Sequence, residues 1–249
     1  CFEADADCPL MDSCGLNSAL REALNAFFEV LSRHTIADMV ELALAGDFVP
    51  FAVNVSAGEV SETVRPYQGL AERLGSTLAW LSSGAAQESI EISYDGQIAE
   101  YDTRILTLSV LKGFFGVVSG DPVSYVNAPQ MAEEHGIVVR PSQSTTPKDY
   151  VNLITVRCGE HAVAGTLAGF NPVAKIVMID DFTVDIRPAE HMVVVRNDDV
   201  PGMIGLVGTS VGEAGVNIAD MVVGQDADGV SALMVIVTDT AVPDDLIAG

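Results

Sequence analysis

The sequence predicts an α+β chain built from two consecutive mixed units. Three observations predict it. Apolar residues recur at helical spacing in several stretches, and short alternating apolar runs bounded by turn residues lie between those stretches. Residues 191–249 then read as strand, helix, strand, strand and the start of another helix. At 249 residues the chain is long enough for one large domain or two ordinary ones.

Residues 1–53 read as two amphipathic helices and a linker. Leu20, Leu24, Phe27, Phe28 and Leu31 form one stripe, and Ile36, Val40 and Leu44 another. Gly46 has the place of a helix stop, with Pro50 soon after it. In residues 54–190, Val64, Tyr67, Ala71, Leu74, Leu78 and Leu81 mark one face of a helix whose first turn must hold Pro66, with Ser61 or a neighbour as cap. Ile90, Ile92 and Tyr94 alternate before Asp95-Gly96, a hairpin signal. Helices are expected from Ile105 to Val118 and from Asn127 to His135, and strands from Leu153 to Arg157 and from Ala162 to Leu167. Lys175–Ile179 and Phe182–Ile186 flank Asp180-Asp181 as a second hairpin. In the last unit, Met192–Arg196 is a strand, and Pro201 suits the first helical position. Met203, Leu206, Val207 and Val211 mark the buried face of that helix, and Gly215 ends it. Strands follow over Val216–Val223 and Val230–Thr238, with Asp226-Ala227-Asp228-Gly229 as the turn. Pro243-Asp244-Asp245 opens a further helix.

A net charge of -23, from 35 acidic and 12 basic residues, argues against nucleic acid or an anionic membrane as partner. An acid-rich, lysine-poor surface suits a high-salt interior, where salt screens self-repulsion. An ordinary acidic protein fits equally well. There is no apolar run of transmembrane length and no signal-peptide pattern, so a cytoplasmic protein is expected. The first residue is Cys1 rather than Met, which reads as a fragment or a processed product. The four cysteines, at 1, 8, 14 and 158, match neither CxxC nor a Cys/His finger, and reduced thiols are expected. The histidines at 34, 135, 161 and 191 form no ligand spacing, so no metal site is assigned. Gly208-Thr209-Ser210-Val211-Gly212 matches the nucleophile-elbow string, but Ser210 falls inside an amphipathic helix and no histidine follows it.

The run Val193–Gly202, with Ile204-Gly205 and Gly215-Val216-Asn217-Ile218, resembles the ACT-domain signature. With a last helical segment and strand it would complete a ferredoxin-like βαββαβ unit, so the ACT domain reads as C-terminally truncated. Ala52–Val55, Leu108–Gly113, Tyr125–Pro129 and Ala174–Ile179 resemble the intervening domain of the long-form phosphoglycerate dehydrogenase family, and Leu42–Gly46 the helix ending before it. The resemblance divides the chain into a helical remnant of the substrate-binding domain with linker (1–53), an anion-binding intervening domain (54–190) and the ACT domain (191–249).

The resemblance implies regulation of serine biosynthesis. L-serine or a similar amino acid would bind at Asn197, Asp199, Gly202 and Asn217, with the two halves of each site contributed by different subunits of a homo-oligomer. A small phosphate-bearing anion would bind at Lys175 and Arg187. The physical reading agrees in kind: a turn feeding a helix N-terminus suits a carboxylate, and Asp199 supplies an acceptor for an ammonium. Plain alternatives stand beside it. Asp199 then only caps a helix, and Lys175 and Arg187 form ordinary surface ion pairs. Arg140 and Arg157 are weaker additions to the anion site. The full-length family uses NAD, but no Gly-x-Gly occurs in this chain, so no cofactor is assigned to it. The family's catalytic histidine is expected shortly before residue 36, where Leu16–Ala23 holds none, so no catalytic residue is assigned. A second reading has the chain complete an NAD-dependent dehydrogenase with a separately encoded catalytic half.

Overall fold

The computed structural model describes residues 22–26, 28, 60–82, 88–226 and 230–247. The backbone divides into two units, Cys1–Pro50 and Phe51–Gly249. In the first, residues 22–26 and 28 are helical. The remainder of the two-helix reading, the linker at 47–53, the Ala52–Val55 motif and most of the Asp226–Gly229 turn lie outside the described residues.

The second unit opens with a 3-10 turn, Arg65–Tyr67, that absorbs Pro66 and leads into helix α1, Gln68–Leu81. Ser61 supports this start, because its carbonyl accepts from the Val64 and Arg65 amides. The expected stripe is buried through Val64, Tyr67, Ala71, Leu74 and Leu78, joined by Leu70. Helix α2, Arg104–Val118, crosses α1 at two glycines. A Cβ on Gly75 would lie 2.1 Å from the Val110 carbonyl oxygen, and one on Gly113 would lie 1.9 Å from that of Glu72. The backbones approach so closely only because neither residue carries a side chain. Lys112 closes the crossing with an ion pair to Glu72 at 3.2 Å.

Six strands form the first sheet: β1 (Ser89–Gly96), β2 (Val138–Ser144), β3 (Asn152–Cys158), β4 (His161–Ala168), β5 (Val173–Ile179) and β6 (Phe182–Ile186). Their order is β2-β1-β3-β4-β5-β6. β1 and β2 pair in parallel, and every other pairing is antiparallel. Gly165 of β4 lets Leu70 and Leu74 of α1 approach the sheet. Ile90, Ile92, Tyr94, Ile154 and Val156 share that face and are fully buried. A short helix, α3 (Ala128–Glu134), precedes β2.

The second sheet contains β7 (Met192–Asp198), β8 (Ile218–Gln225) and β9 (Ser231–Thr238), in the order β7-β9-β8. Helix α4, Met203–Glu213, connects β7 to β8, which flank β9 and run parallel to one another. Val211, Val216 and Val242 form a core under α4 and the short helix α5, Asp244–Ile247. The other face of this sheet meets β6: a Cβ on Gly224 would lie 2.5 Å from the Thr183 carbonyl oxygen. The architecture is therefore α+β, as the alternation of periods implies.

Three local expectations are corrected. Asp95-Gly96 does not turn a hairpin, because β1 finds its antiparallel partner in β3, more than fifty residues on, and Gly96 (φ 95°) leads into a 3-10 turn instead. Pro201 precedes the helix rather than opening it, because Gly202 is left-handed (φ 102°) and α4 starts at Met203. Leu206 is 60% exposed, so the buried face of α4 is narrower than its apolar composition suggests.

Candidate functional site

Strand β7 ends at Asp198, and the chain turns through Asp199 to Gly202 before α4 begins. This turn and the helix-bearing face of the second sheet enclose a pocket of about 360 Å³. Asn197, Asp199, Pro201 and Gly202 line its mouth, and Val223, Ala232 and Met234 its floor. The first helical bond runs from the Leu206 amide to the Gly202 carbonyl at 2.9 Å. The Ile204 and Gly205 amides precede that bond, so donors collect at the positive end of the helix dipole. The Asp199 carboxylate accepts from the Gln225 side-chain amide. Asn197 donates to the Asp198 carbonyl at 2.6 Å, while its own Oδ1 is buried without a hydrogen-bond partner. A buried acceptor without a donor is costly in a folded protein.

The structure thus brings Asn197, Asp199 and Gly202 into one concavity. Asn217 is not part of it. It lies just before β8, at the other end of the sheet, where its Nδ2 donates to Asp239 at 2.7 Å.

On the first sheet, the Ile176–Ile186 pair places Lys175 and Arg187 one residue further out on the two arms of the β5–β6 hairpin. Lys175 Nζ already holds Asp185 at 2.5 Å, and Arg187 is exposed. Arg140 pairs with Glu91 at 3.5 Å, and Arg157 is exposed on the same sheet face. Ser210 is helical and donates to the Leu206 carbonyl at 3.0 Å, which removes the nucleophile reading. Among the described residues no group of three His, Cys, Asp or Glu side chains gathers into a metal cluster, and no helix is long and apolar enough to cross a membrane.

Two features escaped the sequence reading. An apolar groove of about 700 Å³ lies between α2, α3 and β2, floored by Leu108, Leu111, Ala132 and Ile137. At one rim the Asp102 carboxyl is held below its usual range by hydrogen bonds from Arg104. The second feature is a cluster of His161, Asp180 and Arg196 where the two sheets meet. Nothing in the sequence announces it, since Asp180 reads as a turn residue and Arg196 as a strand surface residue.

Residues 63–180 match the D-3-phosphoglycerate dehydrogenase intervening domain. The chain is 38% identical over 216 residues to D-3-phosphoglycerate dehydrogenase of Mycobacterium leprae, covering 85% of this chain and 41% of that protein. It is 32% identical over 214 residues to the Archaeoglobus fulgidus enzyme (83% of this chain, 40% of that one) and 31% identical over 220 residues to the Synechocystis enzyme (86% and 39%). A dehydrogenase intervening domain therefore occupies the middle of the chain. Over 85% of its length the chain is homologous to the C-terminal part of D-3-phosphoglycerate dehydrogenases. It spans about two fifths of the length of these relatives.

Proposed function

We propose that this chain is a ligand-binding regulatory region of the D-3-phosphoglycerate dehydrogenase type, acting in serine biosynthesis in the cytoplasm. Residues 54–190 take a small phosphate-bearing anion at Lys175 and Arg187. Residues 191–249 act as an ACT domain of ferredoxin-like form that takes L-serine or a similar amino acid. The observation that carries the reading is the pocket itself. Helix N-terminal amides suit a carboxylate, Asp199 suits an ammonium, and the buried, unpaired Oδ1 of Asn197 suits a further donor. Asn217, remote from the pocket in its own subunit, completes the site from a partner copy.

Isothermal titration of the chain with L-serine tests this. Asp199→Ala and Asn217→Ala are each expected to weaken binding at least about tenfold, the cost of one charged or polar partner. Because the two residues serve one site from different subunits, mixing the two variants restores one intact site in each heterodimer. Full affinity in both variants, or no recovery on mixing, removes the two-subunit site.

The similarity to these dehydrogenases also supports one further reading, in which a catalytic half pairs with this chain to make the NAD-dependent enzyme. The isolated chain is then inactive with 3-phosphoglycerate and NAD, and NADH production by the chain alone contradicts both readings.

A further inference from the structure

The β5–β6 hairpin turns on Asp180, whose φ of 52° is the one positive value at a non-glycine residue among those described. Aspartate tolerates this conformation because its short carboxylate bonds locally. Here Oδ1 accepts from the Ala162 amide at 3.1 Å and faces His161 Nδ1 at 3.2 Å. Oδ2 accepts from the Arg196 guanidinium at 2.6 Å. The carboxylate is 10% exposed and the Arg196 side chain 57%, so the pair joins a buried acceptor to a cation at the surface.

Arg196 belongs to the other sheet. Its guanidinium also lies 5.4 Å from the centre of the Phe182 ring on β6, and Thr183 beside that ring meets Gly224 of β8 backbone to backbone. The hairpin tip is therefore wedged against β7 and β8. Successive residues of a strand face opposite ways. Arg196 faces the hairpin, and Asn197, the next residue, faces the pocket. β7 cannot shift at one of them without moving the other.

We infer that the Arg196–Asp180 ion pair is a latch coupling the 198–202 turn to the β5–β6 hairpin, so that a ligand at one is felt at the other. The coupling between ligands rests on the reading of the pocket and the Lys175–Arg187 pair as ligand sites; the mechanical link does not. A ligand that draws Asn197 and Asp199 together moves Arg196 against Asp180, and the hairpin carrying Lys175 and Arg187 responds. The effect is reciprocal.

Two measurements test it on the full chain, using the wild type, Asp180→Asn, which keeps a residue tolerant of the left-handed turn, and Arg196→Met. In the first, L-serine is titrated with and without inorganic phosphate. The wild type is expected to change its serine Kd about fivefold between the two conditions. The ratio falls to one in both variants, each of which still binds serine. A ratio unchanged in the variants overturns the latch. The second measurement needs no ligand. Hydrogen exchange is expected to speed up at the amides of Asp199, Val200, Gly202 and Met203 in Asp180→Asn and at the hairpin in Arg196→Met, with α1 and α2 unchanged. Unaltered exchange across the junction overturns the latch even if serine never binds, whereas absence of serine binding in the wild type overturns only the proposed function.

Discussion

Lys148 shows what one residue contributes in this molecule. Its ammonium, on an exposed loop, sits 2.9 Å from Asp95 Oδ2, and that carboxylate is only 5% exposed. Removing the lysine strands a buried charge, which costs more than the pair itself is worth. Lys148→Met is expected to cost about 1–3 kcal/mol in urea unfolding. Adding Asp95→Asn to it should return part of that loss, and equal or additive losses would contradict the pairing. Buried acids set the alkaline limit in a similar way. Burial pushes the Cys158 thiol up to about 11, and it raises Tyr94 and Tyr67 against the lowering hydrogen bonds of Thr107 and Asn152. These groups stay neutral when folded and ionise first when unfolded, so their contribution is complete below about pH 9 and is lost as pH climbs toward 11 and beyond. Chemical denaturation from pH 8 to 11 should show stability level at first and falling from about pH 9 upward. Cys158, 1% exposed, should resist thiol reagents at pH 8 until the chain unfolds.

At the scale of elements, the α1–α2 crossing depends on two missing side chains. Gly75→Ala or Gly113→Ala places a methyl group within about 2 Å of a carbonyl oxygen on a neighbouring helix, and backbone cannot yield as a side-chain tip does. Each is expected to lower stability by about 3 kcal/mol, the upper part of the overpacking range, measured as a fall in Tm. Gly116→Ala on the same helix meets nothing within 4 Å and should stabilise slightly. Elements of this kind, whose pattern lies within one window, were legible in the sequence. The α1 stripe, the β3 and β4 strands and the Asp180-Asp181 hairpin all emerge where local periodicity places them. β2 was not legible. It is polar, contains Pro141 and occupies a sheet edge, where no buried face imposes alternation. Asp95-Gly96 misled because β1 is paired by a distant segment, a choice no local signal records. At the pocket, Asn197, Asp199 and Gly202 were named through the resemblance, with the turn before a helix as the physical argument beside it. The orphaned Oδ1 and the Arg196–Asp180 contact depend on what the tertiary fold sets opposite them.

Across the whole second unit, the smaller sheet is sandwiched. α4 and α5 cover one face, and the β5–β6 hairpin covers the other. On that second face Leu233 and Val235 of β9 share the side of Gly224 and are 1% and 0% exposed. Their burial depends on the hairpin staying in place, which in turn needs the close approach at Gly224. Gly224→Val drives a branched side chain toward the Thr183 carbonyl, where even a Cβ would lie 2.5 Å away, so the hairpin must lift. Lifting it exposes apolar area at about 25 cal/mol per Å² and breaks the Arg196–Asp180 contact, while α1, α2 and the first five strands keep their own core. The expected result in calorimetry is division of one melting transition into two, with the earlier belonging to residues 191–247. Net charge adds a second handle, because a chain at -23 repels itself at low ionic strength. Raising KCl should therefore move the earlier transition upward. A single, unshifted transition in Gly224→Val would mean that the two sheets do not depend on their contact, and that each sheet's own core holds it together.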